Sequence, residues 1–154
     1  AMSGFVICTT LGDIKLRFRP DAAPQTVAYI SKVISDGAYN KTTFYRSDFV
    51  IQCGLYPRTC PYPNLTTNET SSNAFVSNAC GTAAIAHWDV PDCGNTEFFI
   101  NLKHNAHLDS AYGGYCVFAE VADDESIKVM HTIAKAIPQQ KTIAITTMTL
   151  TTTS

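Results

Sequence analysis

Charge is scarce in this chain. Only 16% of its 154 residues are charged, against a usual share of about 25%, and 11 basic residues nearly balance 13 acidic ones. The net charge of −2 comes without any run of Lys or Arg. That leaves no electrostatic footprint for nucleic acid or an anionic membrane, so neither is expected as a partner. No apolar run approaches the roughly 18–20 residues needed to span a bilayer. A signal peptide is not expected either, because Met2 is followed almost at once by the strand-like Phe5-Val6-Ile7-Cys8. Ala1 reads as an appended residue, and a cytoplasmic location is the expectation. The six cysteines, at 8, 53, 60, 80, 93 and 116, form no C-x-x-C pair and no zinc-ligand spacing. Free thiols are the favoured reading, several of them buried as small apolar residues. A disulfide or redox switch among Cys60, Cys80 and Cys93 is the alternative. His104 and His107 form an H-x-x-H pair in a loop-like segment without a third ligand, so no metal is expected, and no cofactor. No nucleophile elbow accompanies His87 and Asp89, which argues against a Ser-His-Asp hydrolase. Asn40, Asn64 and Asn68 fit the glycosylation sequon, which matters only in a secreted chain.

What is present suffices for one domain over residues 1–154. A chain of this length buries roughly 70% of the surface it exposes unfolded. Phe5 to Thr9 and Ile14 to Phe18 alternate apolar and polar residues, with Gly12-Asp13 between them reading as a hairpin turn. Ala23, Val27, Ile30 and Ile34 then recur at helical steps, with Pro24 in the first turn and Gly37 as a stop. Strand-like segments follow at Thr43–Arg46 and Phe49–Cys53. Residues 54 to 80 make a long Pro-, Asn-, Thr- and Ser-rich stretch, of a kind that is usually functional or flexible. Apolar runs return at Gly81–His87, Glu97–Leu102 and Tyr115–Val121. A second helix is expected from Asp123-Asp124, carrying Ile127, Met130, Ala134 and Ile137 on one face, with Lys135 near its end to suit the dipole. His131 on that helix reads as structural or solvent-facing. A Thr-rich strand over Lys141–Thr151 closes the chain. The pattern predicts a mainly β fold, an antiparallel sheet closed into a barrel whose ends two helices plug. An open α+β sandwich is the alternative, and periodicity alone does not separate them.

Two distant fragments stand out. In Phe44-Tyr45-Arg46 running into Phe49-Val50-Ile51-Gln52, a permanent cation sits beside apolar and amide side chains. On one extended strand Arg46 and Gln52 would share a face, with Phe49 opposite unless Ser47-Asp48 form a turn or bulge. In Glu97-Phe98-Phe99-Ile100-Asn101 the Phe pair must point to opposite faces of a strand, Phe98 being assigned to the interior. Together they suggest an apolar pocket rimmed by one guanidinium and one carboxamide.

Phe44-Tyr-Arg, Phe49-x-x-Gln52-x-Gly54, Gly81-Thr-Ala-Ala-Ile-Ala86, Phe98-Phe-Ile-Asn101, His107-Leu-Asp109 and Val117-Phe118-Ala119 occur in the order seen in cyclophilins. The opening Thr10-Leu-Gly-Asp-Ile and Ala23-Pro-x-Thr26-Val resemble that family too, so the similarity covers nearly the whole chain. The resemblance implies a closed eight-stranded antiparallel barrel capped by two α-helices. It also implies peptidyl-prolyl cis-trans isomerase activity, with proline-containing peptides and protein clients as partners, acting as a monomer. By matching positions, Arg46 corresponds to the catalytic arginine and Gln52 to the pocket glutamine. Phe49, Ile85, Phe99 and Leu108 resemble the hydrophobic floor that receives the proline ring, and Ala86 and His87 a stretch that pairs with the substrate backbone.

The chain also departs from the family pattern. Tyr45 replaces a common His, and only Ser47-Asp48 separate Arg46 from Phe49 where the family has four residues. Such shortening can shift Arg46 relative to the pocket. Glu97 stands where Gln is common, adding negative charge to the groove or pairing with Arg46. Tyr115 replaces a common His, and Gly113-Gly-Tyr-Cys-Val-Phe118 resembles the bacterial branch, with a few inserted residues around Ser110–Gly114. His107 occupies the position of the tryptophan associated with tight cyclosporin binding, so weak cyclosporin binding is expected. A non-catalytic module that captures proline peptides on the same fold is the competing expectation.

Overall fold

In the computed structural model, residues 2–71, 75–87 and 94–152 are described. Cys93 and Asp89, singled out above, lie outside the described residues, as does Ala1. Eight strands close into one antiparallel barrel: β1 (Met2–Thr9), β2 (Gly12–Phe18), β3 (Thr42–Ser47), β4 (Val50–Gly54), β5 (Thr82–Ile85), β6 (Phe98–Asn101), β7 (Val117–Val121) and β8 (Ile143–Thr152). The order around the ring is β1-β2-β7-β5-β6-β4-β3-β8, and β8 pairs back onto β1. This closure settles the alternative left open by periodicity.

Alternation drives the strands. In β2 the side chains of Ile14, Leu16 and Phe18 are buried while Asp13, Lys15 and Arg17 face water. The turn before it is Thr10-Leu11, not Gly12-Asp13, since Thr9 pairs directly with Gly12. The Thr9 hydroxyl stabilises that turn, accepting from Leu11 N at 3.1 Å and donating to Gly12 O at 2.6 Å. Inside the barrel Phe98 meets Phe5, Tyr39 and Phe118 edge-on at 6.1, 5.7 and 5.6 Å between ring centroids.

Helix α1 (Pro24–Ser35) packs on β7 and β8, and α2 (Asp124–Gln140) on β2, β3, β4 and β8. In α1, Pro24 opens the first turn, and Gly37 ends the helix at φ +75° with its N–H on Ile34 O at 2.9 Å. Ile30, Val33 and Ile34 are buried, whereas Val27 is only partly covered and Ala23 lies just ahead of the helix. Ala23 has no side chain with which to cap. Glu69, on a short 3-10 turn in the long connection, does that instead. Its carboxylate accepts from Thr26 N at 2.7 Å, Thr26 Oγ1 at 2.8 Å and Gln25 N at 3.1 Å, while only 2% exposed.

Helix α2 starts conventionally, with Asp123 accepting from Ser126 N at 2.8 Å. Met130, Ile133 and Ile137 are its buried stripe, joined by partly covered Ile127 and Ala134. It runs past the expected end through Pro138 to Gln140, so Lys135 does not lie in the last turn, which carries no basic residue. Pro138 lacks the N–H that would bond Ala134 O. Ser47 Oγ of β3 donates to that carbonyl at 2.9 Å. The proline is tolerated because a strand supplies the missing donor.

Candidate active site

The β3–β4 hairpin decides the geometry. Its register pairs Phe44 with Cys53 and Arg46 with Gln52, leaving Tyr45 as the extra residue of a bulge. Arg46 and Gln52 thus share a face as cross-strand partners, not as two positions on one strand. The row continues, because Gln52 pairs with Phe99 of β6, and Phe99 with Ala84 of β5. One rung of the outer barrel face therefore reads Arg46, Gln52, Phe99, Ala84.

Arg46 is held from both sides. Its Nε and Nη2 lie 2.9 Å from Asp48 Oδ2, and Nη1 donates to Gln52 Oε1 at 2.9 Å. Its side chain remains 43% exposed. The expected turn falls at Asp48-Phe49, with Ser47 still in β3 and Asp48 Oδ1 accepting from Val50 N. That bend carries Phe49 out of the strand and under the guanidinium, whose Cζ is 5.5 Å from the ring centroid. Residue alternation alone would have put Phe49 on the opposite face.

Glu97 does not pair with Arg46. Its Oε1 accepts from Tyr45 Oη at 2.9 Å and Tyr56 N at 3.2 Å, its Oε2 from Leu55 N at 2.8 Å and Thr96 Oγ1 at 3.1 Å. Gly54 makes room for it, since a Cβ there would overlap the carboxylate. Tyr45 Oη in turn accepts from Gln52 Nε2 at 2.9 Å. Burial first, and the adjacent Glu97 charge second, push the Tyr45 phenol well above its ordinary pKa, so it stays protonated.

The apolar part is a separate cluster outside the barrel core. Val50, Ala84, Phe99, Leu108 and Val117 form its buried centre, with Phe49, Val76, Ala86 and Tyr115 partly covered around it. Ile85 is not among them. It packs in the interior cluster with Phe98, and Gly94 sits so close behind it that a Cβ would come within 2.6 Å. The alternation along β5 sends Ala84 outward and Ile85 inward, which corrects the floor expected from motif matching. Tyr115 stands edge-on to Phe99 at 5.6 Å and stacks on His87 at 4.1 Å. His107 is exposed, its ring edge-on to Phe49 at 5.2 Å. Beside this surface lies a hollow of about 540 Å³ lined by Tyr45, Gln52, Tyr56, Ala86, His87, Asn95 and Glu97.

Support comes from a polar network that sequence reasoning missed. Asn105 Nδ2 donates to Phe49 O at 3.0 Å and Asn101 Oδ1 at 2.9 Å, and Asn101 Nδ2 reaches Asn78 Oδ1 and Thr82 Oγ1. Asp109 accepts from Asn78 N at 2.7 Å and from Ser77 Oγ. The motif positions Asn101 and Asp109 were the only sequence signal for it. His104 meets Ser77 Oγ at 3.1 Å, so the two rings of the H-x-x-H pair have different partners. Among the described residues no group of three His, Cys, Asp or Glu is arranged to hold a metal ion.

Residues 5–153 match the family model for cyclophilin type peptidyl-prolyl cis-trans isomerases. Peptidyl-prolyl cis-trans isomerase B of Escherichia coli K12 is 36% identical over 123 residues, 75% of this chain and 75% of that protein. A peptidyl-prolyl cis-trans isomerase of Synechococcus elongatus is 32% identical over 141 residues, 86% of this chain and 89% of the relative. In fold the chain is similar to the Cryptosporidium parvum cyclophilin-type isomerase crystallised in the presence of the dipeptide Ala-Pro. The TM-score is 0.81 at 18% identity, covering 97% of this chain and 99% of that one. The chain belongs to the cyclophilin-type peptidyl-prolyl cis-trans isomerases. Peptidyl-prolyl cis-trans isomerisation is its enzyme class.

Proposed function

We propose that the outer rung of Arg46, Gln52 and Phe99, with Phe49 and Leu108, is the surface on which X–Pro bonds are turned. The barrier to that rotation is about 20 kcal/mol, because amide resonance is lost in the twisted state. Acceleration requires contacts stronger in the twisted state than in either planar one. Phe49, Phe99 and Leu108 hold the proline ring while the preceding carbonyl swings, and Ala86 and His87 line the groove for the flanking peptide. As resonance breaks, the prolyl nitrogen becomes pyramidal and regains a lone pair. Arg46 donates to that lone pair, an interaction hardly available to the planar amide. Gln52 orients Arg46. A charge-assisted bond of this kind is worth on the order of 3 kcal/mol, about a hundredfold in rate.

The observation that carries this reading is the Arg46–Gln52 pair continuing directly into Phe99, with the guanidinium seated over Phe49. NMR exchange on a short Ala-Pro peptide tests it. Arg46→Ala is expected to slow catalysed exchange about a hundredfold; equal rates for the two proteins would remove Arg46 from the mechanism. Asp48, which partly neutralises the same guanidinium, favours the second reading, a capture module that binds proline peptides without turning them. Binding without exchange in that experiment would establish it.

On this reading the partners are proline-containing peptides and protein clients; the C. parvum structure was obtained in the presence of the dipeptide Ala-Pro. Cyclosporin binds weakly, for want of an indole at His107. The protein acts as a monomer in a reducing compartment such as the cytoplasm, where Cys8, Cys53, Cys60, Cys80 and Cys116 are free thiols.

A further inference from the structure

We infer that Tyr45, held by Glu97, is a positioning residue that fixes which end of the Gln52 amide meets the Arg46 guanidinium, an inference that rests on Arg46 being the group that acts on the prolyl nitrogen. The two ends of a glutamine amide have nearly the same shape and opposite polarity. A guanidinium only donates, so only the oxygen end of Gln52 can engage it. What locks that end in place is the neighbour of the other one, and this neighbour is Tyr45 Oη, 2.9 Å from Gln52 Nε2.

A hydroxyl by itself is indifferent, since it donates or accepts equally well. Glu97 removes the indifference. A carboxylate only accepts, so the Tyr45 hydrogen is committed to Glu97 Oε1 and a lone pair is left facing Gln52. Donation then runs one way, from Arg46 to Gln52 to Tyr45 to Glu97. An amide at position 97 would not serve. Leu55 N and Thr96 Oγ1 point at one oxygen, Tyr56 N and Tyr45 Oη at the other. Whichever way the new side chain of Glu97→Gln turned, its NH₂ would confront a backbone N–H. Glu97 is thus the partner that Tyr45 and the start of the long connection require. The β3 bulge completes the device by putting Tyr45 and Arg46, consecutive in sequence, on the same outer face.

Without the hydroxyl the Gln52 NH₂ loses its acceptor, only Arg46 still holds the amide, and Gln52 rotates away from it part of the time. Arg46 is then held by Asp48 and the Phe49 ring without a steady Gln52. Steady-state kinetics of the whole chain on an X-Pro peptide test this. Tyr45→Phe is expected to lower kcat about tenfold with KM unchanged within about twofold. In a Gln52→Ala background the same change should cost nothing further, because the route it acts through is gone. The Gln52 side-chain amide resonances should also move in Tyr45→Phe. Wild-type kcat in Tyr45→Phe, or an equal loss in both backgrounds, overturns the inference. A slow Arg46→Ala beside a fully active Tyr45→Phe confines the failure to the relay, whereas a fully active Arg46→Ala removes the mechanism beneath it. Should Tyr45→Phe not fold, the Tyr45 hydroxyl proton of the wild type is the readout. It is expected as a discrete, slowly exchanging signal, and averaging with water overturns the assignment.

Discussion

His107 is the side chain whose size should bear on ligand affinity at the proposed surface. It sits exposed at the edge of Phe49, where an indole would offer roughly 50 Å² more apolar area, worth about 1.3 kcal/mol at 25 cal/mol/Å². Calorimetry with cyclosporin should therefore give no nanomolar dissociation constant for the wild type, and His107→Trp should tighten binding about tenfold. Nanomolar affinity in the unaltered protein would show that the imidazole is no handicap. At this scale the sequence was legible wherever strict alternation held. Phe98 and Phe99 divide between interior and surface as two-residue periodicity requires. Where alternation broke it left the outcome conditional, and motif matching against alternation misplaced Ile85. The bulge at Tyr45 and the bend at Asp48-Phe49 reset which residues face outward, and neither has a unique signature in one sequence. Glu97 was hidden for a different reason: its partners lie some 40 residues away at Leu55 and Tyr56, and only the folded register brings them together.

Among the elements, α1 depends on a residue far outside it. Glu69 takes the N–H groups of Gln25 and Thr26 and the Thr26 hydroxyl, all in a nearly solvent-free position. Glu69→Gln would set an NH₂ against one of those donors, leaving a buried group unsatisfied at a cost of about 2 kcal/mol. The expected outcome is a lower midpoint in chemical denaturation and faster hydrogen exchange at Gln25 and Thr26. An unchanged midpoint would mean that the helix start is secured some other way. Both helices were readable from their apolar periodicity, and Pro24 and Gly37 punctuated the first correctly. The end of the second was not, because Pro138 normally argues for termination. Ser47 overrides that rule from another strand. The long connection gave no hint that it carries the cap for α1, since a carboxylate acting across 43 residues leaves no local pattern.

For the molecule as a whole, acid is the informative perturbation. Burial alone would raise the Asp109 pKa, but hydrogen bonds from Ser77 and Asn78 outweigh it and hold the carboxyl below its ordinary 3.8. Asp36 and Asp123 are lowered too, chiefly by hydrogen bonds from Tyr62 and Ser126. Depressed folded values mean that the unfolded chain binds more protons. The stabilisation is complete above the unfolded pKa and is lost as pH falls through the folded one. Melting temperature should thus be nearly flat from pH 7 to about 5 with respect to these groups, then decline below about 4. Asp109→Asn should flatten that decline, and superimposable profiles would exclude Asp109 as a contributor. That the strands form one antiparallel system was legible from their spacing. That they close was the favoured reading but not one periodicity could separate from an open sandwich, because closure depends on β1 and β8 meeting, and each strand looks the same whether its far side is paired or bare.

The ring order is closed, so no strand stands as an edge of the sheet on which a client could lie as a ninth member. Recruitment as an added strand on an open sheet edge is therefore disfavoured. On the proposed reading it grips its target by side chains on the outside of the wall and by loop backbone. Proline, which has no amide hydrogen to offer a ladder, is the residue that loses least under that arrangement.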